Sequence, residues 1–391
     1  MVNGWPVVRF GDVVRQSRAT ADPSSGELSR YVAGEHMDTD DLRIRRWGTI
    51  GDGYLGPAFH RRFDRGQVLY GSRRTYLRKV AVADFDGVCA NTTFVCEPGS
   101  DELLPELLPF VMQMESFQRH SITQSKGSVN PYVNWSDLAW FEFRLPPVFE
   151  QRRLATILSA SAACVARFED TRSAAHRAED AYAAQVFAEL EAREHDRCQV
   201  RPLGDLLNAC QYGLSTKASD VGKVPIFRMM NLEDGEVTEN ILKYVDMTDD
   251  KLTPYELRWG DLLLNRTNSA DLVGKVGIYR LDGAHVFASY LMRLSPADGV
   301  DSDYLNAFLN SSLGQRRVRA FATHGVSQSN INASNLRKVA VPFPSGGEQA
   351  AIASRLSRLK SARKALSARV DSTRQLHRSL IDHLLEGPLT A

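Results

Sequence analysis

The sequence contains two long stretches that share one helical register, and each closes one copy of an internal repeat. From Val148 to Arg201 there is no proline and no glycine. Apolar residues recur there as Leu154, Leu158, Val165, Phe168, Ala175, Tyr182 and Val186. The second stretch, Glu348 to Glu386, carries Ile352, Leu356, Leu359, Leu366, Val370, Leu380 and Leu384. A shift of 198 brings Leu154, Leu158, Phe168, Tyr182 and Val186 onto Ile352, Leu356, Leu366, Leu380 and Leu384. Apolar residues at heptad a and d positions form a seam that needs a partner helix. At 1.5 Å per residue such helices reach on the order of 60 Å, well beyond the usual length in a globular domain. The simplest partner for each is the other. Packed antiparallel, they are expected to form a coiled-coil rod with pseudo-two-fold symmetry and the globular domains at opposite ends.

The copies match ahead of the helices too. Phe10-Gly11-Asp12 matches Leu203-Gly204-Asp205, Arg65-Gly66-Gln67-Val68-Leu69 matches Trp259-Gly260-Asp261-Leu262-Leu263, and Phe85-Asp86-Gly87 matches Leu281-Asp282-Gly283. At the close, Glu150-Gln151 matches Glu348-Gln349. The offset drifts from 193 to 198, as small loop insertions would make it. Between these marks lie short β segments after glycine turns, such as Val68–Tyr70 and Leu262–Leu264. Helical stretches are expected near Leu103–His120 and Tyr304–Ala322. The fold class is α+β: two tandem α/β domains, 1–147 and 201–345, with long helices at 148–200 and 346–391.

Ten basic residues fall between Arg43 and Lys79 against Asp52 and Asp64, so this window carries +8 in a chain whose net charge is +1. A cluster that dense points to an anionic partner, and a solvated basic face is the alternative. Five cysteines without a C-x-x-C pair favour reduced thiols and a cytoplasmic setting. The start, Met1 to Pro6, lacks the features of a signal peptide, and the apolar stretch Leu103–Met112 is too short to cross a bilayer.

Catalytic patterns fail on inspection. Gly51-Asp52-Gly53-Tyr54-Leu55-Gly56 has the spacing of a dinucleotide fingerprint, but Pro57 follows it and position 76 is Tyr rather than an acid. It reads as a glycine-rich turn. Gly274-Lys275 lacks the earlier glycine and the Ser/Thr of a P-loop. Asn130-Pro131-Tyr132 lacks the second proline and the cofactor loop of an amino-methyltransferase. No H-E-x-x-H, no G-x-S-x-G and no Cys/His metal spacing occurs. No catalytic residue and no metal ligand is assigned.

The order of these motifs resembles the specificity subunit of type I restriction–modification systems. In the second copy the resemblance rests on Gly222–Leu232, on Trp259–Arg266 with Leu272–Lys275, and on Gly325–Asn332, Leu336, Val339–Pro342 and Glu348-Gln349-x-x-Ile352. The first copy repeats Gly127, Leu138, Leu145-Pro146-Pro147 and Glu150-Gln151-x-x-Leu154, but Gln67 stands where the pattern has Asp. The resemblance implies two target-recognition domains, each reading one half of a bipartite double-stranded DNA site, and helices that set the spacing. It implies partners that carry the chemistry of phage defence: two DNA methyltransferase subunits with S-adenosylmethionine, and a restriction nuclease/translocase with ATP and Mg. This chain would hold no cofactor and would not be an enzyme. Arg suits guanine and Asn or Gln suits adenine at base edges, while other cations hold phosphates. On that basis Arg43, Arg45, Arg46, Arg61, Arg62, Arg73, Arg74, Arg78 and Lys79 are the DNA-binding candidates of the first domain. Those of the second are Lys217, Arg228, Asn231, Asn265, Arg266, Asn268 and Lys275. Ser327-Gln328-Ser329-Asn330 is either a reading loop or the turn into the exit strand. The alternatives are a protein-assembly adaptor, a stand-alone DNA-binding regulator, and a methyltransferase, which the missing cofactor motif disfavours.

Overall fold

The computed structural model describes residues 4–193, 198–269, 272–324 and 329–387. It divides into two compact units, Met1–Arg172 with Ala365–Ala391, and Ser173–Lys364. Each unit holds one mixed α/β head and one stretch of each long helix, which run Val148–Glu191 and Gly346–Leu385. No described helix is long and apolar enough to cross a membrane.

Among the described residues, the first head has two four-stranded sheets. One orders Val14–Ser17, Thr93–Pro98, Val68–Gly71 and Val80–Val82, all antiparallel. The other orders Gly48–Thr49, Arg30–Val32, Gly87–Ala90 and Phe59–Phe63. In the second head Leu207–Tyr212, Leu291–Pro296, Leu262–Asn265 and Val276–Ile278 repeat the first arrangement, and Glu236–Val237 and Leu232–Glu233 extend it. Each head opens and closes on a two-stranded ribbon, Val7–Arg9 with Glu142–Arg144 and Gln199–Pro202 with Ala340–Phe343.

The short repeated motifs do structural work at matching places. In Phe-Gly-Asp and Leu-Gly-Asp, buried Phe10 and Leu203 donate their backbone N–H to Phe141 and Val339 at 2.7 Å. The glycine lets the chain run against a short exit helix near the close of each head, Trp135–Ala139 and Ala333–Leu336, since a Cβ at Gly11 would lie 2.7 Å from that of Ala139, and one at Gly204 3.0 Å from that of Arg337. Gly66 and Gly260 take φ of 92° and 88° in matching turns, which a side chain would strain. The glutamine of each Glu-Gln pair is buried and ties head to helix. Gln151 accepts from the Leu104 N–H at 2.8 Å and donates to Glu102 and Pro146 carbonyls at 2.6 and 2.8 Å. Gln349 accepts from Asp301 and donates to Pro344.

Within each unit the helix stretches run antiparallel. In the first, Ser161 meets His377 (Oγ to Nδ1, 3.0 Å), and the Arg369 guanidinium lies 5.2 Å from the centre of the Phe168 ring. In the second, Glu179 pairs with Arg363 at 2.6 Å. The seam is wider than the heptad reading. Leu154, Leu158, Val165, Ile352, Leu356 and Val370 are buried as expected. Phe168, Tyr182, Val186, Leu359, Leu366, Leu380 and Leu384 are only half-buried. The deepest positions at the head ends are their neighbours Phe187, Leu190, Ile381 and Leu385. These join the head cores, so the helices bury a second face there and their apolar stripe broadens beyond a and d.

Candidate nucleic-acid interface

At one end of each main sheet the chain leaves a central strand and pairs with the segment that precedes the exit helix. In the first head Ser72 donates its N–H to Thr92 and accepts from Val133, both at 3.0 Å. In the second, Arg266 donates to Tyr290 at 3.0 Å and accepts from Ile331 at 2.9 Å. The two arms therefore share one backbone scaffold. Their side chains differ: Arg73-Arg74 in the first, Thr267-Asn268 in the second.

The first arm is a strained turn. Thr75–Leu77 is flanked by Arg74 and Arg78, each at φ 50°, a conformation that costs a non-glycine residue about 1–2 kcal/mol. Hydrogen bonds hold it: the Arg74 N–H donates to Pro131 at 2.6 Å, its Nε donates to Asn130 Oδ1 at 2.9 Å, and Arg78 pairs with Asp40 and Glu115. The turn holds Arg73 and Tyr76 exposed beside Tyr132, and Arg73 makes no ion pair among the described residues.

The rest of the basic window is compensated, which corrects the expectation of an open positive face. Arg43 chelates Asp170 of the first long helix with two bonds of 3.0 Å, and Arg45 bridges Asp41 and Asp170. Arg46 pairs with Asp38, Arg62 with Glu27 and Asp64, and Lys79 donates to the Gly34 carbonyl. Half-buried Arg61 has a buried Nε without a partner. Apart from Asp64, those acids lie outside the window, so a charge count within it misses them. Arg43, Arg45, Arg46, Arg62, Arg78 and Lys79 are thus held in place within the unit. Exposed Arg65 forms no ion pair among the described residues, but it sits at the opposite end of strand Val68–Gly71 from Arg73.

In the second head the structure corrects Asn231 and Asn265. Asn231 is fully buried, accepting from Arg228 N–H and donating to the Thr238 and Asn240 carbonyls. Asn265 is 1% exposed and donates to the Leu272 carbonyl. Both brace turns. The Arg228 guanidinium donates to the Ile241 carbonyl, and Asn268 contacts Met229 Sδ and Ser269 N–H. Half-buried Lys275 lines a cavity on the helix side. Arg266 stays at the arm, bonded to Ser289, Ile331 and Asn330 and stacked on Tyr212 with 4.7 Å to the ring centre. Lys217 is exposed on the loop that leaves the sheet at Leu214, which bonds Ser289 at 2.8 Å. Tyr290, half-exposed at the arm, and Tyr76 and Tyr132 in the first head are the groups sequence reasoning passed over. Asn330 pairs with Thr267 in the arm; Ser327 and Gln328 lie outside the described residues. No cluster of His, Cys, Asp and Glu fit for a metal occurs among the described residues.

Residues 196–371 match the family described as type I restriction modification DNA specificity domain. The chain is 32% identical over 165 residues to a protein of Methanocaldococcus jannaschii assigned as the MjaX type I restriction enzyme specificity subunit, covering 41% of this chain and 38% of that one. It is 24% identical over 314 residues to the EcoKI specificity subunit of Escherichia coli, covering 74% of this chain and 68% of the relative. A solved structure from a study of type I restriction–modification complex assembly matches with a TM-score of 0.59, 20% identity and 97% of both chains covered, which carries the fold across both heads. Residues 196–371, the second head with the helix stretch that follows it, therefore carry a type I restriction modification DNA specificity domain.

Proposed function

We propose that this chain is the sequence-reading, non-catalytic subunit of a type I restriction–modification complex, with each head reading one half of a bipartite DNA site. The observation that carries the reading is the doubled arm: one hydrogen-bonded scaffold, presented twice, with different side chains on each copy. A shared frame with divergent tips is what two unlike half-sites require, because phosphate contacts position a head and base-edge contacts specify sequence. In the first head Arg73 suits a guanine edge, with Arg74, Tyr76 and Tyr132 around it. In the second, the reading falls on Arg266, Asn268 and Tyr290 of the matching arm, with Lys217 on the loop after Leu214. The partners are two DNA methyltransferase subunits docked along the long helices, which bring S-adenosylmethionine, and a nuclease/translocase subunit that brings ATP and Mg.

The test is to co-express the chain with its methyltransferase partner and map methylated bases in host DNA. The expected result is a split motif with a fixed gap. Arg73→Ala is expected to relax one position in one half of the motif and leave the other half unchanged. An unsplit motif, or relaxation in both halves, removes the two-headed assignment. Alone, the chain is expected to bind DNA weakly and to transfer no methyl group.

A further inference from the structure

Beneath the Asp40 turn of the first unit lies a cavity of about 520 Å³, walled by the head on one side and by both long helices on the other. A cavity at the matching place in the second unit measures about 340 Å³. The correspondence follows the repeat offset. Asp40, at φ 53°, takes the place of Asp234, at φ 51°. Ser159 takes that of Ser357, and Phe110 aligns with buried Phe308.

The two cavities have opposite chemistry. In the second, Lys360, Arg363 and Lys364 extend from the helix to Glu236 and Asp234, so the chain's own cations cross the space. The residues at those helix positions in the first are Ala162, Val165 and Ala166, and Leu42 stands where Glu236 does. The space stays open and its walls are apolar. Most of its charged rim is already committed, Asp41 to Arg45, Asp40 to Arg78 and Arg378, and Arg43 to Asp170, while Glu106 is exposed to solvent. One buried polar atom of the lining has no partner among the described residues. Gln113, 4% exposed, lines the cavity with its Oε1 buried and without a hydrogen-bond partner. Its counterpart Ser311 is satisfied, donating to the Phe308 carbonyl at 2.6 Å and accepting from Gly314.

A buried acceptor left unpaired is costly unless something donates to it. The volume lies within the roughly 300–1,000 Å³ of small-molecule sites, and the lining has their character of apolar walls with a few placed polar groups. We propose that the head–helix seam of the first unit is a binding site for a neutral, mainly aromatic small molecule bearing one N–H or O–H donor directed at Gln113 Oε1. The second unit's smaller cavity does not suit such a molecule, because Lys360, Arg363 and Lys364 cross it to Glu236 and Asp234 and make it charged. A ligand here touches head and helices together and so couples its own binding to the seating of the first head.

The test uses the full chain with two probes of the same shape, indole and benzothiophene, the second lacking the N–H. Calorimetric titration is expected to show one saturable site for indole. Ala162→Lys combined with Ala166→Lys, which imports the residues of the second unit, is expected to weaken indole at least tenfold with an unchanged melting temperature. Gln113→Leu is expected to weaken indole about tenfold and benzothiophene little. Absence of saturable indole binding overturns the site. So does equal indole affinity in the lysine variant, or an equal effect of Gln113→Leu on both probes.

Discussion

His377 sits in the first unit with its ring edge-on to Phe110 and its Nδ1 3.0 Å from Ser161 Oγ. Burial lowers its pKa below the usual 6.5, more than the nearby Asp40 carboxylate raises it. Above that pH the ring is neutral folded or unfolded, and its contribution is fully present. As pH falls below 6.5 the unfolded chain takes up a proton that the folded one refuses, so stability drains until the lowered folded pKa is passed. His377→Gln keeps a partner for Ser161 and removes the titration. Its unfolding free energy is expected to fall less steeply between about pH 7 and pH 5 than that of the parent chain. Equal slopes in urea titrations across that range would show that this ring does not titrate on unfolding. Lys79 is shifted down as well, mainly by burial, which fits its place under the Gly34 carbonyl better than a place on a phosphate.

Among the elements, the helices were legible because a repeat-wide register is written in apolar spacing alone. Leu158 and Leu356 are buried where the heptad puts them. What spacing could not show is that Ile381 and Leu385 serve a head core, since nothing local distinguishes a residue facing a helix from one facing a sheet. The same limit governed the basic window: Asp170 is 127 residues from Arg43, and only folding brings them together. Asn231 and Asn265 looked like adenine readers because a buried asparagine and an exposed one are the same letter. Turns marked by glycine were readable; the αL arginines of the arm were not, because non-glycine residues rarely adopt that conformation. The second head's tie to its helices centres on Arg363, which is 16% exposed and bridges Glu179 and Asp234, each at 2.6 Å. Arg363→Ala leaves two carboxylates facing each other without their shared cation. It is expected to destabilise that unit by about 1–3 kcal/mol in chemical denaturation, above the range of an exposed pair.

At the scale of the whole molecule, the first unit is discontinuous in sequence. Residues 365–385 supply Ile381 and Leu385 to its core, the Asp382 carboxylate accepts the Glu115 N–H at 2.9 Å, and Glu386 accepts from Ser116. Removing everything after Lys364 is therefore expected to destabilise the head at the other end of the sequence while sparing the second unit. Hydrogen exchange would show protection lost in Leu108–Thr123 and retained in Leu291–Pro296; the reverse pattern would refute the assignment. Synthesis on the ribosome inverts the usual order as a result. The head translated first has to wait, with part of its apolar surface uncovered, while the whole of the second unit emerges, roughly 10–40 s at common elongation rates. The head translated later has all of its chain at once. The first unit is thus the stage of biogenesis at which a chaperone has most to protect, and a nascent chain stalled before residue 365 would carry one finished head and one unfinished head.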